Sequence, residues 1–339
     1  MTSLFVHRSS LQSNMNKTPE ETEEAAKMIS PTDHPHPVDV PEATFWCTLF
    51  ILEAILIVIG NLLTTVVFLR SRRLRKRRYY LIINLAISDT LVGALAMPLF
   101  LVPFGKSLKV WGTVSAVPGD AGLFFDMFSG FASITFLTLI SLERLYATLR
   151  PFNYRALESR WYVLLTVIAW ITAGFIPSMH LIALNYPGML HSPQKNTMVS
   201  LWVPFLSAQL LLICISYMVI WRKVTVIHKS VGKERAVDKE SSLSRICFLV
   251  TAMSVIAWLP FVIVSMVINT TFELFNFHAF YITKFLHYGN SLLNPVLYVL
   301  KIPEFKASLS QLFNRNAGDP TTGDLSATLS PRSLKSRFR

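Results

Sequence analysis

Charged residues are scarce in this chain of 339 residues: Asp, Glu, Lys and Arg make up 15% of it, whereas hydrophobic residues make up 52%. A soluble globular domain carries about 25% charged residues, so this composition argues against a soluble protein. Cysteine is also scarce, and Cys47, Cys214 and Cys247 all lie inside long apolar stretches. We therefore predict neither an extracellular disulfide nor a zinc site. The first residues lack a basic start followed by an apolar core, so we expect no cleaved signal peptide.

Long apolar runs are what the sequence has instead. Each of seven runs is long enough to cross the roughly 30 Å hydrocarbon core of a bilayer as a helix. They cover 45–69, 79–103, 121–143, 161–184, 199–221, 245–269 and 279–300. The predicted fold class is an all-α membrane protein, a seven-transmembrane helix bundle.

Other classes of membrane protein are disfavoured. Transporters show internal repeats with broken helices in paired positions, and this sequence shows neither. No catalytic constellation is recognisable, so we predict no enzyme, and His180, His278 and His287 lie near predicted span ends, where interfacial histidines are common. Ion flux that depends on Asp89 would favour a channel or transporter.

Basic residues concentrate in alternate connections between the runs. The first connection, 70–78, holds seven bases and no acid, and 144–160 and 222–244 are also basic. By the positive-inside rule these connections are cytoplasmic, which places the N-terminus outside and the C-terminus inside. Topology and contact with anionic membrane lipids explain the net charge of +12, so no nucleic-acid partner is predicted.

Polar segments flank the predicted seven-helix domain, 45–300. Residues 1–44 are predicted to be a disordered extracellular segment, with Asn16 as a candidate glycosylation site in an Asn-Lys-Thr triplet. Residues 301–313 show apolar positions at helical spacing and are predicted to form an amphipathic helix on the inner membrane surface. The Ser- and Arg-rich residues 314–339 are predicted to be a disordered cytoplasmic tail.

The third run carries an acid near one end and an arginine at the other. Asp126 and Arg144 are 18 residues apart, which is five turns, so both project from one face of a helix, about 27 Å apart. Ionisable groups in a membrane span usually mark function. We predict that this helix links an outer binding site to an inner switch.

Several polar residues fall in the middle of predicted spans. They are Asn61, Asp89, Ser133, Asn290, Ser291 and Asn294. Burying such groups is unfavourable unless they contact one another, so we predict one interior polar cluster. The cluster could act as hydrogen-bonded contacts between helices. We favour a monovalent-cation site, for sodium, formed by Asp89, Ser133, Asn290, Ser291 and Asn294, with no other cofactor.

With these residues in view, the chain over about 45–313 resembles the rhodopsin-like (class A) G-protein-coupled receptors, and in its motifs the biogenic-amine receptors. The motifs that carry the resemblance are Gly60-Asn61, Leu85-Ala86-Ile87-Ser88-Asp89, Glu143-Arg144 followed by Leu145 and Tyr146, Trp170, Tyr217, Ala257-Trp258-Leu259-Pro260 and Asn294-Pro295-Val296-Leu297-Tyr298. One motif alone would be weak, but the ordered set is specific.

The sequence departs from this family's pattern at four places. Leu145 stands where the arginine motif usually has Tyr, and Gln209 stands where the fifth helix usually has Pro. Gly119 replaces the usual Cys at the outer end of the third helix, and the second outer loop has no Cys. The fold tolerates these changes, but they leave the shape of the outer pocket open.

The resemblance implies a multi-pass plasma-membrane receptor that activates heterotrimeric G proteins, with arrestin and receptor kinases as further partners. It also implies an inner switch in which Arg144 pairs with Glu143 and, across the bundle, with Glu240. Glu240 lies 18 residues before Trp258, again five turns. The implied switch residues are Glu143, Arg144, Glu240, Tyr217, Asn294, Pro295 and Tyr298.

The resemblance further implies a ligand site around Asp126, which stands where amine receptors of the family bind the ligand's amine. Tyr288 matches a tyrosine that hydrogen-bonds this acid, and Trp258 and Phe261 add aromatic walls. Lys284, one turn from Tyr288, could pair with Asp126, repel an amine or attract a carboxylate. A small protonated amine is the predicted ligand; a peptide or amino-acid-like ligand is the alternative. Opsins carry their retinal-binding lysine where this sequence has Tyr288, so light sensing is disfavoured.

Overall fold

The computed structural model describes residues 40–71, 74, 79–107, 119–185, 194–231, 252–267 and 277–317, and the regular elements in these ranges are helical. The seven long helices, called the first to seventh in chain order, are Val40–Arg70, 80–107, Gly119–Leu149, Ser159–Asn185, Gln194–Val231, Ala252–Val267 and Phe277–Lys301. Two shorter ones are the connecting helix, Pro151–Ala156, and the terminal helix, Pro303–Ala317. The predicted all-α seven-transmembrane bundle is confirmed.

Five of the seven helices are long and apolar enough by composition alone to cross a membrane. The sixth is shorter over its described residues, and the seventh is more polar because it carries a lysine, histidines and asparagines. Four of those side chains, Lys284, His287, Asn290 and Asn294, are buried, whereas His278 at the start of the helix is exposed. The seventh helix therefore turns its polar groups toward the other helices rather than toward lipid.

The third helix lies at the centre of the bundle, where it packs against the second, fourth and fifth helices. In its most apolar stretch 61% of the residues are buried, compared with 22% for the fourth helix. A helix surrounded by other helices can keep polar side chains on several faces because neighbouring helices can satisfy them. This position suits the helix that carries both Asp126 and Arg144.

Buried apolar side chains form two clusters. The larger cluster surrounds the third helix, with Phe136, Leu137 and Tyr217 among its members. The smaller cluster joins the first, second and seventh helices through Phe50, Met97 and Tyr288. Ring contacts link the smaller cluster, since the Phe50 and Tyr288 centroids lie 6.1 Å apart at an interplanar angle of 82°. This cluster supports the outer half of the seventh helix, where the candidate ligand site lies.

Helix boundaries differ from the predicted apolar runs at the polar ends. The fifth helix runs to Val231, although the predicted run ends at 221, because a helix can continue into polar sequence beyond the hydrocarbon layer. The first helix begins at Val40, five residues before its predicted run, and the terminal helix continues to Ala317. Asn16, Glu240 and most of the two predicted disordered segments lie outside the described residues.

Candidate functional site

The outer acid of the third helix, Asp126, meets two side chains of the seventh helix. The Lys284 ammonium donates to both carboxylate oxygens, at 2.8 Å from Oδ1 and 2.6 Å from Oδ2. The Tyr288 hydroxyl donates to Oδ1 at 2.8 Å. Lys284 and Tyr288 are four residues apart and share a face of their helix, so both reach the same carboxylate. The structure thus brings together three of the five predicted ligand-site residues.

Aromatic rings surround the ammonium of Lys284. Its Nζ lies 4.5 Å from the ring centroid of Phe261, 4.6 Å from that of Tyr288 and 5.8 Å from that of Phe100. Cation–π attraction operates within about 6 Å, so all three rings contribute. The Lys284 side chain is only 3% exposed and that of Asp126 is 14% exposed, so this ion pair is largely shielded from solvent.

Trp258, the remaining predicted ligand-site residue, lies against His287 rather than against the lysine. The two ring centroids are 4.1 Å apart in an edge-to-face arrangement, and His287 also stacks on Phe261 at 4.7 Å. The third helix approaches this group at Gly130, where an added Cβ would lie 3.0 Å from Cη2 of Trp258. His287 therefore connects the lysine site to the tryptophan.

The histidine interpretation is wrong for two of the three residues. His180 and His287 are buried rather than interfacial, and His278 is the exposed one, with Nδ1 at 3.2 Å from Oε1 of Glu42. The average hydropathy of a span gives no information on which face of the helix a side chain occupies. Gly130, a small residue across from His287, was a weak sequence signal for a buried side chain there.

Sequence reasoning also missed an acid in the first helix, Glu53. Its side chain is buried, and an added Cβ on Gly289 of the seventh helix would lie 3.1 Å from its Oε1. Its Oε2 has no hydrogen-bond partner within the described ranges. Glu53 also lies close enough to interact electrostatically with Tyr288. An acid inside the first apolar run was the signal that could have found it.

The predicted polar cluster forms around Asp89 in the second helix. Its Oδ1 accepts hydrogen bonds from Ser133 at 2.8 Å and from Ser291 at 2.9 Å, and its Oδ2 accepts one from Asn294 Nδ2 at 2.6 Å. All four side chains are buried. Asn61 joins the same layer because its Nδ2 donates to the backbone oxygen of Ser291 at 2.9 Å. The cluster connects the first, second, third and seventh helices.

The composition of this cluster fits a small monovalent cation. Asp89 supplies one negative charge, and in the described part of the chain the buried Oδ1 atoms of Asn290 and Asn294 have no hydrogen-bond partner. Oxygen atoms are the ligands that hard cations prefer. Among the described residues, no three His, Cys, Asp or Glu side chains come together, so a site for a transition metal is not found there. Asn290 is buried, although it does not hydrogen-bond to Asp89 as the other predicted members do.

The inner end of the third helix holds Glu143 and Arg144 in a network of four side chains. Arg144 Nε donates to Glu143 Oε2 at 2.7 Å, and its Nη2 donates to the Tyr154 hydroxyl at 3.1 Å. Tyr154, in the connecting helix, donates in turn to Glu143 Oε1 at 2.5 Å. Tyr162, at the start of the fourth helix, donates to the same oxygen at 3.1 Å. Sequence reasoning predicted the Glu143–Arg144 pair and missed both tyrosines.

Burial raises the pKa of the Tyr154 hydroxyl above its ordinary value, an effect that the neighbouring Arg144 charge partly opposes and Glu143 reinforces. Tyr154 therefore remains a protonated donor to Glu143 at physiological pH. A neutral donor and a guanidinium together satisfy the carboxylate of Glu143, which lets this ion pair persist at a largely buried position.

The other predicted switch residues lie inside the bundle. Tyr217 and Tyr298 are buried, and Tyr298 lies edge-to-face against Phe68 at 6.1 Å between centroids. Pro295 approaches the first helix so closely that a Cβ on Gly60 would lie 3.2 Å from its Cγ. Glu240 falls outside the described residues, so its pairing with Arg144 stays a prediction.

The departures from the family pattern have visible structural consequences at one position. Gln209, in place of the usual proline of the fifth helix, is buried and donates from Nε2 to the Thr135 hydroxyl at 3.1 Å. The fifth helix keeps a proline at Pro204 instead. Cys47 and Cys214 are free.

Comparison with known proteins agrees with this architecture. The family model described as 7 transmembrane receptor (rhodopsin family) matches residues 60–298. Somatostatin receptor type 2 of Mus musculus is 28% identical over 280 residues, which cover 75% of this chain and 72% of that receptor. A D(1)-like dopamine receptor of Oreochromis mossambicus is 26% identical over 345 residues, covering 83% of this chain and 81% of the relative.

Melanopsin-A of Danio rerio is also similar, at 22% identity over 326 residues. That match covers 86% of this chain and 54% of the melanopsin, so the chain spans about half the length of this relative. The relatives are named for different stimuli, and their names do not choose among ligands for this chain.

Proposed function

Because the chain belongs to the rhodopsin family of seven-transmembrane receptors, which are multi-pass plasma-membrane proteins and not enzymes, we propose that it binds an extracellular ligand bearing a protonated amine and responds by activating a heterotrimeric G protein. The amine of the ligand binds Asp126, and the inner end around Arg144 couples to the G protein. Asp126, Lys284, Tyr288, Trp258 and Phe261 form or support the ligand site.

The observation that carries this proposal is the environment of the Lys284 ammonium. Both oxygens of Asp126 and the faces of Phe261 and Tyr288 surround it at contact distances. A lysine ammonium is chemically the same group as the protonated amine of a ligand. The contacts of the chain's own lysine therefore support a site that stabilises an ammonium by charge-assisted hydrogen bonding and cation–π attraction.

The route from the ligand site to the inner surface follows the third helix. Below Asp126, the same helix contributes Gly130, which contacts Trp258, and Ser133, which donates to Asp89. It ends at Arg144 in the tyrosine network. A ligand shifts the population of two helix arrangements only to the extent that it binds one of them more tightly. Each of these contacts can be stronger in one helix arrangement than in the other.

The test is G-protein activation in cells that express the full chain, challenged with a panel of biogenic amines and amine-bearing peptides. Asp126→Asn, which keeps the shape of the side chain and removes its charge, is assayed beside the wild type at matched surface expression. A response that is lost in the variant supports the site. A response of equal potency in Asp126→Asn would move the amine elsewhere in the bundle.

We also propose that the Asp89 cluster binds sodium. Its support is the buried carboxylate of Asp89, which Asn294 contacts, together with the buried amide oxygens of Asn290 and Asn294, which have no partner in the described part of the chain. A cation there would join the second, third and seventh helices and stabilise the arrangement in which they lie close together.

Light sensing is not proposed, although melanopsins are among the relatives. Where opsins carry their lysine, this chain has Tyr288, which donates its hydroxyl to Asp126. Lys284 lies one turn away, and its ammonium is bound by the carboxylate of Asp126.

A further inference from the structure

We propose that the ligand of this receptor is charge-balanced: its ammonium binds Asp126 and a carboxylate of the same ligand binds Lys284. The ligand class is therefore an amino acid or a short peptide whose amine and carboxylate are close together, rather than a simple amine. This inference rests on the proposed amine site at Asp126, and it adds Lys284 as the group that binds the carboxylate of the ligand.

The argument begins with the occupancy of Asp126 by the receptor's own lysine. Lys284 pairs with Asp126 through both carboxylate oxygens, and the two charges sum to zero in a site that is shielded from water. A ligand ammonium that binds Asp126 must take the place of the Lys284 ammonium. A simple amine would then put a second positive charge into the same shielded space.

The displaced lysine would have to remain inside the bundle. Lys284 is surrounded by Phe261, Tyr288 and Phe100, whose ring faces attract a cation only weakly compared with a carboxylate. Leaving a buried charge without its partner is strongly unfavourable and corresponds to a loss of about 100-fold or more in affinity for a simple amine.

A ligand that carries a carboxylate removes this difficulty. Its ammonium replaces the lysine on Asp126 while its carboxylate becomes the new partner of Lys284, so one ion pair becomes two and the net charge stays at zero. The site supplies the required chemistry, an acid on the third helix and a base on the seventh.

Among the described residues, Glu53 is an internal competitor for the displaced lysine. This buried acid of the first helix lies against Gly289 of the seventh helix, and its Oε2 has no partner within the described ranges. If Lys284 turned from Asp126 to Glu53, a simple amine would be sufficient. The experiment must therefore include Glu53→Gln.

The test compares ligands that differ in the carboxylate alone. L-phenylalanine and phenethylamine, L-tyrosine and tyramine, L-tryptophan and tryptamine, and L-histidine and histamine are applied as pairs, together with dipeptides of the same residues. G-protein activation is measured for wild type, Lys284→Met, Lys284→Arg, Glu53→Gln and the double variant Asp126→Asn/Lys284→Met, all at matched surface expression. Lys306→Met, at an exposed lysine of the terminal helix, is the control.

The expected result has three parts. In the wild type an amino acid or dipeptide is at least about 100-fold more potent than its decarboxylated amine, and Lys284→Arg and Glu53→Gln keep this preference. In Lys284→Met the preference reverses, because an empty Asp126 accepts a simple amine and nothing binds the carboxylate. The double variant, which retains neither charge, responds to neither ligand.

Three outcomes would overturn the inference and leave the proposed site standing. One is equal potency of amine and amino acid on the wild type. Another is an amine response of the wild type that Glu53→Gln abolishes, which would assign the lysine to Glu53. The third is an amine response gained in Lys284→Met while no amino acid or dipeptide activates the wild type, which would mean that Lys284 prevents amines from binding Asp126. If the double variant responds as the wild type does, the proposed site itself is wrong.

Discussion

At the scale of single residues, Gly93 of the second helix has the least room for a Cβ among the described glycines. A Cβ there would lie 2.9 Å from the backbone oxygen of Ala54 and 2.9 Å from Cγ2 of Val58. A backbone oxygen in a packed helix cannot move aside as a flexible side chain can. Gly93 also lies in the π-helical segment Val92–Ala96, where the second helix is locally wider.

We predict that Gly93→Ala destabilises the receptor by about 1–3 kcal/mol, the usual effect of overpacking. The measurement is thermal unfolding of the detergent-solubilised protein. Gly174→Ala is the matched control, because its Cβ would find ordinary contacts of 3.7 Å with Phe128. That change should be neutral or stabilise by up to about 1 kcal/mol, since Ala favours helix over Gly. Equal melting temperatures for the two variants would contradict the prediction.

Residues that the sequence could place are those that carry a motif or an unexpected charge. Asp126, Lys284 and Tyr288 could be predicted as neighbours because helical spacing and the resemblance act together. The contacts of Glu53 and His287 could not be predicted, because each depends on a glycine of a neighbouring helix that makes room for it, Gly289 and Gly130. Pair contacts between helices require knowledge of rotation and depth, which an apolar run does not contain.

At the scale of helices, the Asp89 cluster couples the second, third and seventh helices through Ser133, Ser291 and Asn294. We predict that sodium chloride stabilises the wild type relative to choline chloride at equal ionic strength. At a concentration tenfold above the dissociation constant, the gain is roughly 1.4 kcal/mol. Thermal unfolding in the two salts measures it, and Asp89→Asn should show no difference between them. The same melting temperature for wild type in both salts would exclude a bound cation.

The connecting helix is tied to the inner end of the bundle by Tyr154, and the fourth helix by Tyr162. We predict that Tyr154→Phe and Tyr162→Phe each raise ligand-independent G-protein activation. Each hydroxyl bond to Glu143 contributes about 1 kcal/mol net, which corresponds to a change of about fivefold. Basal signalling at matched surface expression measures the effect.

Tyr146→Phe is the control for these variants, because it is the same substitution at an exposed tyrosine of the third helix. If it raised basal activity as much as Tyr154→Phe, loss of a hydroxyl near the inner surface would be the cause, rather than loss of the bond to Glu143.

The number of helices and the centre of each could be predicted from the sequence, whereas the ends of the helices could be predicted only in part. Hydropathy finds where a chain crosses lipid, so it detects the centre of each span. It does not detect the polar turns by which the fifth helix continues to Val231. The seventh helix was predicted from its apolar run, 279–300, although its lysine, histidines and asparagines make it more polar than the first five helices.

At the scale of the whole molecule, the proposed ligand site and the proposed G-protein contact lie at opposite ends of the third helix, about 27 Å apart. Their coupling is reciprocal: a ligand that favours G-protein binding by some factor must itself bind more tightly by the same factor when the G protein is present. Between and at these ends the third helix takes part in separate layers of contacts, at Gly130, Ser133 and Arg144. Each contact can differ between two arrangements of the bundle.

Glu240 is the predicted partner of Arg144 across the bundle. We predict that Glu240→Ala raises basal G-protein activation at least about tenfold. Removing one partner of a buried ion pair destabilises the arrangement that contains the pair by about 3–5 kcal/mol, which exceeds the few kcal/mol that separate two receptor arrangements. Arg144 would still hold Glu143 and Tyr154, so the receptor should remain folded and reach the surface. Glu158→Ala is the control, since Glu158 pairs with Arg160 at the surface, where the two side chains are 60% and 72% exposed and such pairs contribute little. Unchanged basal activity of Glu240→Ala at equal surface expression would show that Glu240 does not restrain Arg144. The network of Glu143 with Tyr154 and Tyr162 would then be its restraint.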